Sequence, residues 1–258
     1  IGTARKPYTC SECHKGPDVP AYQVYAVSKH GNIFSSLGGQ SSWDFGSVPW
    51  TVGKDFTAPT CAACHVSQIV TTDGTSVAKR THRMNDRLYQ RLFGLIYAHP
   101  HPVSPDTTLI RNSAGLPLPT ELTGEPVSRY LIDADEQKQR KQTLQKVCLA
   151  CHGTGWVQGH FDRFENTLQT TNAQTLAATR ILLSAWDSGV ARGPAQKDSI
   201  FNDTIEKMWV EQWLFYANST RFASAMAGAD YGVFANGRWS LSKNLREMLD
   251  WTRLHPAK

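Results

Sequence analysis

The sequence lacks several features that would assign it to other classes of protein. It has no apolar run of about 18 residues or more, so it predicts no membrane-spanning helix. Its 27 basic and 22 acidic residues give a net charge of +5. The basic residues form no dense patch with interleaved aromatic residues, which argues against a nucleic-acid-binding surface. No signal peptide is visible and the chain starts at Ile1, so we expect a processed chain or a part of a longer one.

No cysteine lies outside three repeats of one motif, C-x-x-C-H. The repeats are Cys10–His14, Cys61–His65 and Cys148–His152. This spacing is typical of haem c attachment, because each thiol forms a thioether to a vinyl group and the adjacent histidine becomes the proximal iron ligand. The sequence therefore predicts three covalently bound haem c groups. Their attachment residues are Cys10, Cys13, Cys61, Cys64, Cys148 and Cys151, and their proximal ligands are His14, His65 and His152.

Two other uses of paired cysteines fit the motifs less well. A zinc ribbon combines two C-x-x-C units, and three units cannot all pair; nor does zinc require a histidine directly after the second cysteine. Six cysteines of an exported protein could form three disulfides, but identical i, i+3 pairs that are each followed by histidine are not typical of such frameworks. We therefore interpret all three motifs as haem sites.

Covalent haem also bears on the location and the folding of the chain. Haem c is attached outside the cytoplasm, so we expect a periplasmic or extracellular protein. The hydrophobic content of 40% is ordinary for a soluble chain. Because each macrocycle adds apolar surface that the chain must cover, segments that are poor in aliphatic residues can fold around haem.

The pattern of residues divides the chain into two regions. Residues 1–132 read as an irregular, haem-wrapping region with two haems. Within it, residues 21–28 could form a strand or a helix that ends at Gly31, residues 66–80 a polar loop, and residues 81–94 a short helix. The rest of the chain has a helical pattern, so the predicted fold class is mainly α: a multihaem cytochrome c whose irregular N-terminal part precedes a bundle of long helices.

Residues 133–258 are predicted to hold the third haem and this helical bundle. The hydrophobic pattern predicts helices over residues 135–149, 159–186, 198–227 and 241–254. The last three are long enough to bury a shared apolar stripe.

The remaining histidines are candidates for distal iron ligands. His30 lies between two haem motifs and His82 lies near the start of a predicted helix, so these two are favoured. The weaker candidates are His99, His101 and His160, and His255 is interpreted as unliganded.

Five segments give the chain a resemblance to a known family. Residues 28–31 (SKHG) and 58–65 (APTCAACH) are similar to the penultimate haem segment of the hydroxylamine-oxidoreductase-like multihaem cytochromes. Residues 81–87 (THRMNDR) resemble the family's ligand-bearing segment, and residues 146–152 (KVCLACH) its last haem motif. Residues 220–231 (TRFASAMAGADY) resemble the segment between its last helices. The likeness is to the C-terminal half of these proteins.

The resemblance implies bis-histidine haems that pass electrons, a C-terminal three-helix bundle and an oligomeric assembly. It also implies that His30 and His82 are distal ligands. In catalytic members, a tyrosine at the position of Tyr231 is bonded to the active-site haem of a neighbouring subunit. This chain departs from the family in having three haem motifs instead of eight, and in lacking a histidine shortly after Tyr231.

Three functions follow as hypotheses. The first is a tri-haem electron carrier whose haems exchange electrons by hopping and whose partners are redox proteins. The second is a subunit or section of an oxidoreductase acting on hydroxylamine, hydrazine or nitrite, with a partner chain that supplies further haems. In that case the His14 haem is the candidate for an open iron position, and Tyr231 would act only if the partner supplies a catalytic haem. The third is a subunit of a cytochrome filament.

Overall fold

Helices dominate the computed structural model, which describes residues 1–37, 43–227 and 231–256, with the side chains of residues 231–236 left out. The predicted mainly α fold class is confirmed. Among the described residues, no helix combines the length and the apolar character that are needed to cross a bilayer.

The first 132 residues contain short elements joined by turns. The helices are α1 (Gly2–Arg5), α2 (Pro7–Ser11), α3 (Ala21–Val27), α4 (Lys29–Leu37) and α5 (Cys61–His65), and a 3₁₀ turn spans Ser128–Tyr130. The strands are β1 (Trp50–Thr51), β2 (Ile69–Val70), β3 (Ser76–Ala78), β4 (Gln90–Arg91) and β5 (His99–Pro100). β2 pairs in parallel with β1 and antiparallel with β3, while β4 and β5 form a separate antiparallel pair.

Three local predictions in this region were wrong. Gly31 does not end a helix but lies inside α4. The predicted loop over residues 66–80 contains β2 and β3. Residues 81–94 form turns and strand β4 and not a helix; the Thr81 hydroxyl bonds there to the Arg83 amide and the Asp86 carboxylate in place of helical partners.

Aromatic side chains form the core of the N-terminal region. Phe34, Trp43, Trp50 and Phe56 are buried together. The rings of Trp50 and Phe56 lie 4.3 Å apart between centroids, and the indole nitrogen of Trp43 donates to the carbonyl oxygen of Ala58 at 3.1 Å. Indole donors thus satisfy carbonyl groups that no helix or sheet would otherwise pair.

Arg5 connects α1 to this aromatic core. Its guanidinium donates to the carbonyl oxygens of Phe45, at 3.0 Å, and Ser47. It also lies over the Trp50 ring at 4.6 Å from the centroid. Arg5 is buried, so a charged side chain takes a structural position that an aliphatic residue usually occupies.

Long helices make up the C-terminal region. They are α6 (Ala134–Leu149), α7 (Thr154–Asp187), α8 (Thr204–Val210), a π-helical segment (Glu211–Ala217), α9 (Asn218–Met226) and α10 (Tyr231–Leu254), with a 3₁₀ turn at Pro194–Gln196. The helix predicted over residues 135–149 is confirmed. The three longer ones exist too, but their predicted starts were wrong: α7 and α10 begin five and ten residues earlier, and α8 begins six residues later.

Side-chain caps explain two of the observed helix starts. The Asp133 carboxylate accepts from the Glu136 amide at 2.8 Å at the start of α6. Asp203 and Glu206 form a capping box at the start of α8. The residues between α7 and this box, including Phe201, therefore precede the helix, and Phe201 is exposed.

The bundle core includes residues from both regions. Leu182 on α7, Trp209 on α8 and Met248 on α10 pack in one cluster with Ile96 and Tyr97. The hydroxyl of Tyr97 donates to the side chain of Thr179 on α7 at 3.0 Å. The division into residues 1–132 and 133–258 stays a prediction.

Candidate haem-binding sites

The first haem motif lies at the end of two very short helices. Pro7 is the first residue of α2, where a missing N–H has no intrahelical partner to lose. The chain keeps turning beyond α2, because the amides of Cys13 and His14 both donate to the Cys10 carbonyl, at 3.3 and 2.9 Å. Cys13 and His14 are exposed and Cys10 is half-buried. His14 is therefore the most accessible of the three predicted proximal ligands.

The second motif is the five-residue helix α5. The hydroxyl of Thr60, the residue before it, donates to the carbonyl oxygen of Arg5 at 2.6 Å and ties the motif to α1. The Nδ1 atom of His65 bonds to the Met84 carbonyl oxygen at 2.9 Å. When Nδ1–H donates this bond, Nε2 keeps its lone pair, which is the arrangement of a metal-binding histidine.

The third motif spans the end of α6 and the turn before α7. Cys148 lies in the last turn of α6, and its carbonyl accepts from the amides of Cys151 and His152 at 3.1 and 2.9 Å. The His152 ring stacks on Trp156 of α7 with 4.0 Å between centroids. This motif thus lies where the N-terminal region meets the bundle.

The three motifs are neighbours in space. The side chains of Cys10 and Cys61 share a hydrogen bond, which lowers the pKa of the Cys10 thiol to about 7. Burial raises the pKa of the Cys148 thiol to about 12, and the charge of Cys64 adds to that rise. The first motif therefore contacts the second, and the second lies within electrostatic reach of the third.

His30 lies beside the third motif. Its ring centroid is 5.9 Å from that of His152, and the two planes are inclined by 46°. Metal–imidazole bonds are about 2 Å long, so two rings at this spacing fit on opposite sides of one metal ion. Burial lowers the pKa of His30, and His152 and His160 lower it further. A neutral ring of this kind is ready to act as a ligand.

Backbone geometry around His30 explains its position. Ser28 separates α3 from α4; its hydroxyl donates to the Tyr25 carbonyl at 2.7 Å and accepts from the Gly31 amide at 3.1 Å. A Cβ atom on Gly31 would collide with the Tyr25 carbonyl oxygen. The two helices therefore meet without a loop, and this fixes His30 in the first turn of α4.

His82 lies in an exposed turn near α5. Thr81 shapes this turn: its hydroxyl donates to the Asp86 carboxylate at 2.5 Å and accepts from the Arg83 amide at 3.0 Å. Met84, two residues after His82, holds the Nδ1 side of the His65 ring. The structure thus brings His82 near the second motif, where it lines a cavity with Ala62 and Val66.

The weaker candidates differ in burial. His99 is only 2% exposed; its Nδ1 bonds to the Pro100 carbonyl at 2.7 Å, and its Nε2 has no partner among the described residues. Burial lowers its pKa to about 4, helped by the charges of Arg91, His101 and Arg221. Burial likewise lowers the pKa of half-buried His101 to about 4. Among the described residues, the charges that act on these two histidines all come from outside the haem motifs, so they link neither His99 nor His101 to a particular haem.

His160 lies on the same face of α7 as the stacked Trp156, at 5.3 Å between ring centroids. Its charge acts on His30, so it borders the third site. His255 is exposed beyond α10 and bonds to the Trp251 carbonyl at 2.8 Å. Tyr231 is the first residue of α10, and its side chain lies outside the described residues.

Two contributions to the second site were not predicted. One is the Met84 carbonyl, since a backbone acceptor leaves no trace in a sequence. The other is Arg87, which is buried and donates to the carbonyls around α5. In the sequence it is one of 27 basic residues, and although it ends the family-like segment 81–87, no local pattern indicates that its side chain is buried.

The residues present fit haem c at each motif. Every motif offers two cysteine sulfurs and a histidine within one turn. The Met84 carbonyl at Nδ1 of His65 suits an Nε2 atom that is free to bind iron, and the His30 and His152 rings have the spacing of two ligands on one iron. Several large apolar side chains near the motifs are exposed, namely Tyr8, Val27, Ile33, Leu149 and Trp156. An apolar macrocycle is a suitable cover for such side chains.

Comparison with known proteins agrees with this chemistry. A family model described as "Seven times multi-haem cytochrome CxxCH" matches residues 1–84. The chain is 41% identical over 270 residues to a probable nitrite reductase-hydroxylamine oxidoreductase fusion protein of Kuenenia stuttgartiensis. That alignment covers 99% of this chain and 30% of the fusion protein.

Two solved structures share the fold. One, a hypothetical multiheme protein, superposes with a TM-score of 0.88 at 36% identity and covers 98% of this chain and 56% of its own. The other is a reducing HAO-like protein complex of Kuenenia stuttgartiensis, with a TM-score of 0.69 at 17% identity over 98% of this chain and 57% of its own. At that identity the likeness concerns the fold alone. The chain thus spans less than two thirds of the length of each of these three proteins.

Proposed function

From the confirmed resemblance to the hydroxylamine-oxidoreductase-like multihaem cytochromes, we propose that this chain is a tri-haem c-type cytochrome that passes electrons by hopping between its haems. The observation that carries the proposal is the closeness of the three motifs: α2 packs against α5 and α5 against α6, Cys10 bonds to Cys61, and Cys64 lies within electrostatic reach of Cys148. Haems attached to neighbouring sulfurs lie close to one another, and close spacing is what multistep electron transfer requires.

Each residue has a defined task in this proposal. The six motif cysteines fix the haems covalently, and His14, His65 and His152 are the proximal ligands. His30 is the distal ligand of the His152 haem, which the 5.9 Å ring spacing supports. His82 remains the distal candidate for a neighbouring haem. Haem iron supplies a one-electron couple, and ligation, burial and hydrogen bonding by the chain set its potential.

Intact mass and EPR spectroscopy of the oxidised protein test the proposal together. A mass increase of three haems with mainly low-spin iron is the expected result. A chain expressed with haem-attachment machinery that gains no haem mass would overturn the assignment of all three motifs.

His30→Ala tests the ligand pair. We expect one haem to change from low-spin to high-spin, because only His152 would remain on its iron. His160→Ala is the matched control: it removes another ring that acts on His30 and should leave the spin state unchanged. A high-spin signal in the His160 variant alone would transfer the distal role to His160.

One observation favours a second function, that of a subunit or section of an oxidoreductase for small nitrogen compounds. His14 is exposed, and the ring contacts of the described residues pair it with no second histidine. The curated relative is named a nitrite reductase-hydroxylamine oxidoreductase fusion. A high-spin haem whose spectrum changes with hydroxylamine or nitrite, and which is missing when Cys10 and Cys13 are both changed to alanine, would support this function; uniformly low-spin iron would count against it.

The proposal also includes a place and partners. A multihaem c-type cytochrome works outside the cytoplasm, in the periplasm or at the cell exterior. The solved HAO-like relative is a complex of proteins. We expect this chain to associate with a second haem protein or with further copies of itself, and mass photometry of the purified native protein separates these two cases.

A further inference from the structure

Arg87 is buried beside the second haem motif and bonds to its backbone. The residue is 3% exposed. Nη1 donates to the carbonyl oxygens of Ala63 and Cys64, at 2.8 and 3.4 Å. Nη2 donates to those of Ser67 and Lys79, both at 2.6 Å. One side chain therefore bonds to four backbone carbonyls, three in or just after α5 and one just after β3.

These bonds meet a need that the short helix creates. The last carbonyls of any helix have no partner within it. In α5 the Ala62 carbonyl accepts from the amides of Val66 and Ser67, which leaves Ala63 and Cys64 for Arg87. The guanidinium fork replaces the next helical turn, so the chain can leave α5 directly after His65.

The charge of Arg87 is not neutralised by a salt bridge with any described carboxylate. Asp86 is the carboxylate whose charge acts on it, and that carboxylate accepts the Thr81 hydroxyl instead. Burial lowers the pKa of Arg87, but a guanidinium stays protonated in proteins. The α5 carbonyls solvate a permanent positive charge next to the motif.

That charge reaches the motif itself. The pKa of the half-buried His65 ring is lowered first by burial, and Arg87 lowers it further. Arg87 also acts on Cys64, in the direction that favours negative charge. The charge of His14 lowers the pKa of His65 as well, after that of Arg87.

We propose that Arg87 positions the second haem motif and raises the reduction potential of the haem held by Cys61, Cys64 and His65 above that of the other haems of this chain. This inference rests on the proposed function. The ferric haem carries one more positive charge than the ferrous haem, so a nearby buried cation destabilises the oxidised form. The second haem would then be the site where an electron resides longest.

Redox titration of the fully loaded chain tests the proposal, with the haem signals assigned by paramagnetic NMR through contacts to the residues of each motif. In the unmodified protein, the haem at His65 should have the highest midpoint. Arg87→Met should shift the reduction equilibrium of this haem roughly tenfold toward the oxidised form, about 59 mV for a one-electron couple. Arg87→Lys keeps the charge and should retain most of the potential.

Arg221→Met is the matched control. Arg221 is fully buried, donates to the Ile96 carbonyl at 3.2 Å and to the Asn172 side chain at 2.9 Å, and lies in the bundle. Its loss should destabilise the fold but leave the midpoint at His65 unchanged.

The outcomes separate this inference from the proposed function. A haem at His65 with an unchanged midpoint in Arg87→Met, or with an equal shift in Arg221→Met, overturns the role of Arg87 while the cytochrome assignment stands. If Arg87→Met does not fold, the unmodified protein provides the test. The inference then fails if the haem at His65 does not have the highest midpoint potential of its haems. Absence of haem at Cys61 and Cys64 overturns the proposed function itself.

Discussion

The two regions of this chain satisfy their backbone polar groups in different ways. In the C-terminal region, α7 and α10 run for 34 and 24 residues, and their carbonyls and amides pair within each helix. In the N-terminal region no helix exceeds nine of the described residues. There, side-chain donors pair with the backbone carbonyls. Trp43 and Trp50 donate to loop carbonyls, and Arg5 and Arg87 together donate to six carbonyls.

This difference shows where the chain depends on its cofactor. A long amphipathic helix gains stability from packing against other helices, and the bundle core supplies that packing. Isolated helices shorter than about 12 residues are marginal in water. The N-terminal helices therefore depend on the aromatic core and on the macrocycles that their cysteines would hold.

Removal of all haem should have the largest effect on the difference between the two regions. A variant with the six cysteines changed to serine should lose protease resistance within residues 1–80 and keep most of its helical circular dichroism, because α6 to α10 provide most of the helix. Limited proteolysis with mass mapping checks this, and the loaded chain is the control. Equal cleavage in both regions would show that the bundle depends on haem too.

Loss of a core aromatic residue should have the next largest effect. Trp50 is fully buried, and its indole donates to the Asp44 carbonyl at 2.9 Å. We expect Trp50→Ala to lower the free energy of unfolding by about 3–5 kcal/mol. Thermal unfolding of the loaded protein measures it, and Val48→Ala, at an exposed neighbouring position, should cost little. A loss below about 1 kcal/mol would mean that haem carries the core without Trp50.

In the bundle, the buried Glu206 offers a smaller test. Its carboxylate accepts from the Trp186 indole at 2.8 Å and from the amides of Asn202 and Asp203, each at 2.9 Å. Glu206→Ala should cost about 2 kcal/mol, because it removes a cap and leaves three partly buried donors without this partner. Chemical denaturation checks this value.

Glu206→Gln should recover part of that stability, since its amide oxygen can still accept. Glu247, in an exposed i, i+4 pair with Lys243 on α10, is the matched control, and Glu247→Ala should change stability by less than about 0.5 kcal/mol. Similar losses at both glutamates would contradict the proposed importance of the cap.

A pH titration tests the junction between the regions, where His99 lies. Its pKa in the folded chain is about 4, below its usual value of 6.5. The unfolded chain therefore binds the proton first as pH falls. The stability that the folded chain gains from neutral His99 is therefore complete above pH 6.5. It is lost as the pH falls from 6.5 to 4, at up to about 1.4 kcal/mol per pH unit.

His99→Gln should flatten the stability profile in this window, whereas His255→Gln, at an exposed position, should not. Thermal unfolding between pH 4 and 7 provides the measurement. A profile that stays equally steep without His99 would assign the pH dependence to other groups.

The positions of the haem motifs and the helical class were readable from the sequence, because both depend on local spacing. C-x-x-C-H repeats and long apolar stripes are properties of neighbouring residues. The helix over residues 135–149 was predicted to within one residue at its start. The helix predicted over residues 81–94 does not form, because Arg87 bonds to the carbonyl oxygens of Ser67 and Lys79, which only the folded chain brings near.

The amino-acid sequence by itself determined which residues can hold haem and where helices can form, since cysteine spacing and 3.6-residue periodicity act over a few residues. Tertiary structure alone decided that His30 faces His152, that Cys10 meets Cys61, and that Arg87 lies under the second motif. These pairs are 122, 51 and more than 20 residues apart in the chain. No local pattern encodes such contacts, because they form only when packing of the aromatic core and the bundle closes the loops between them.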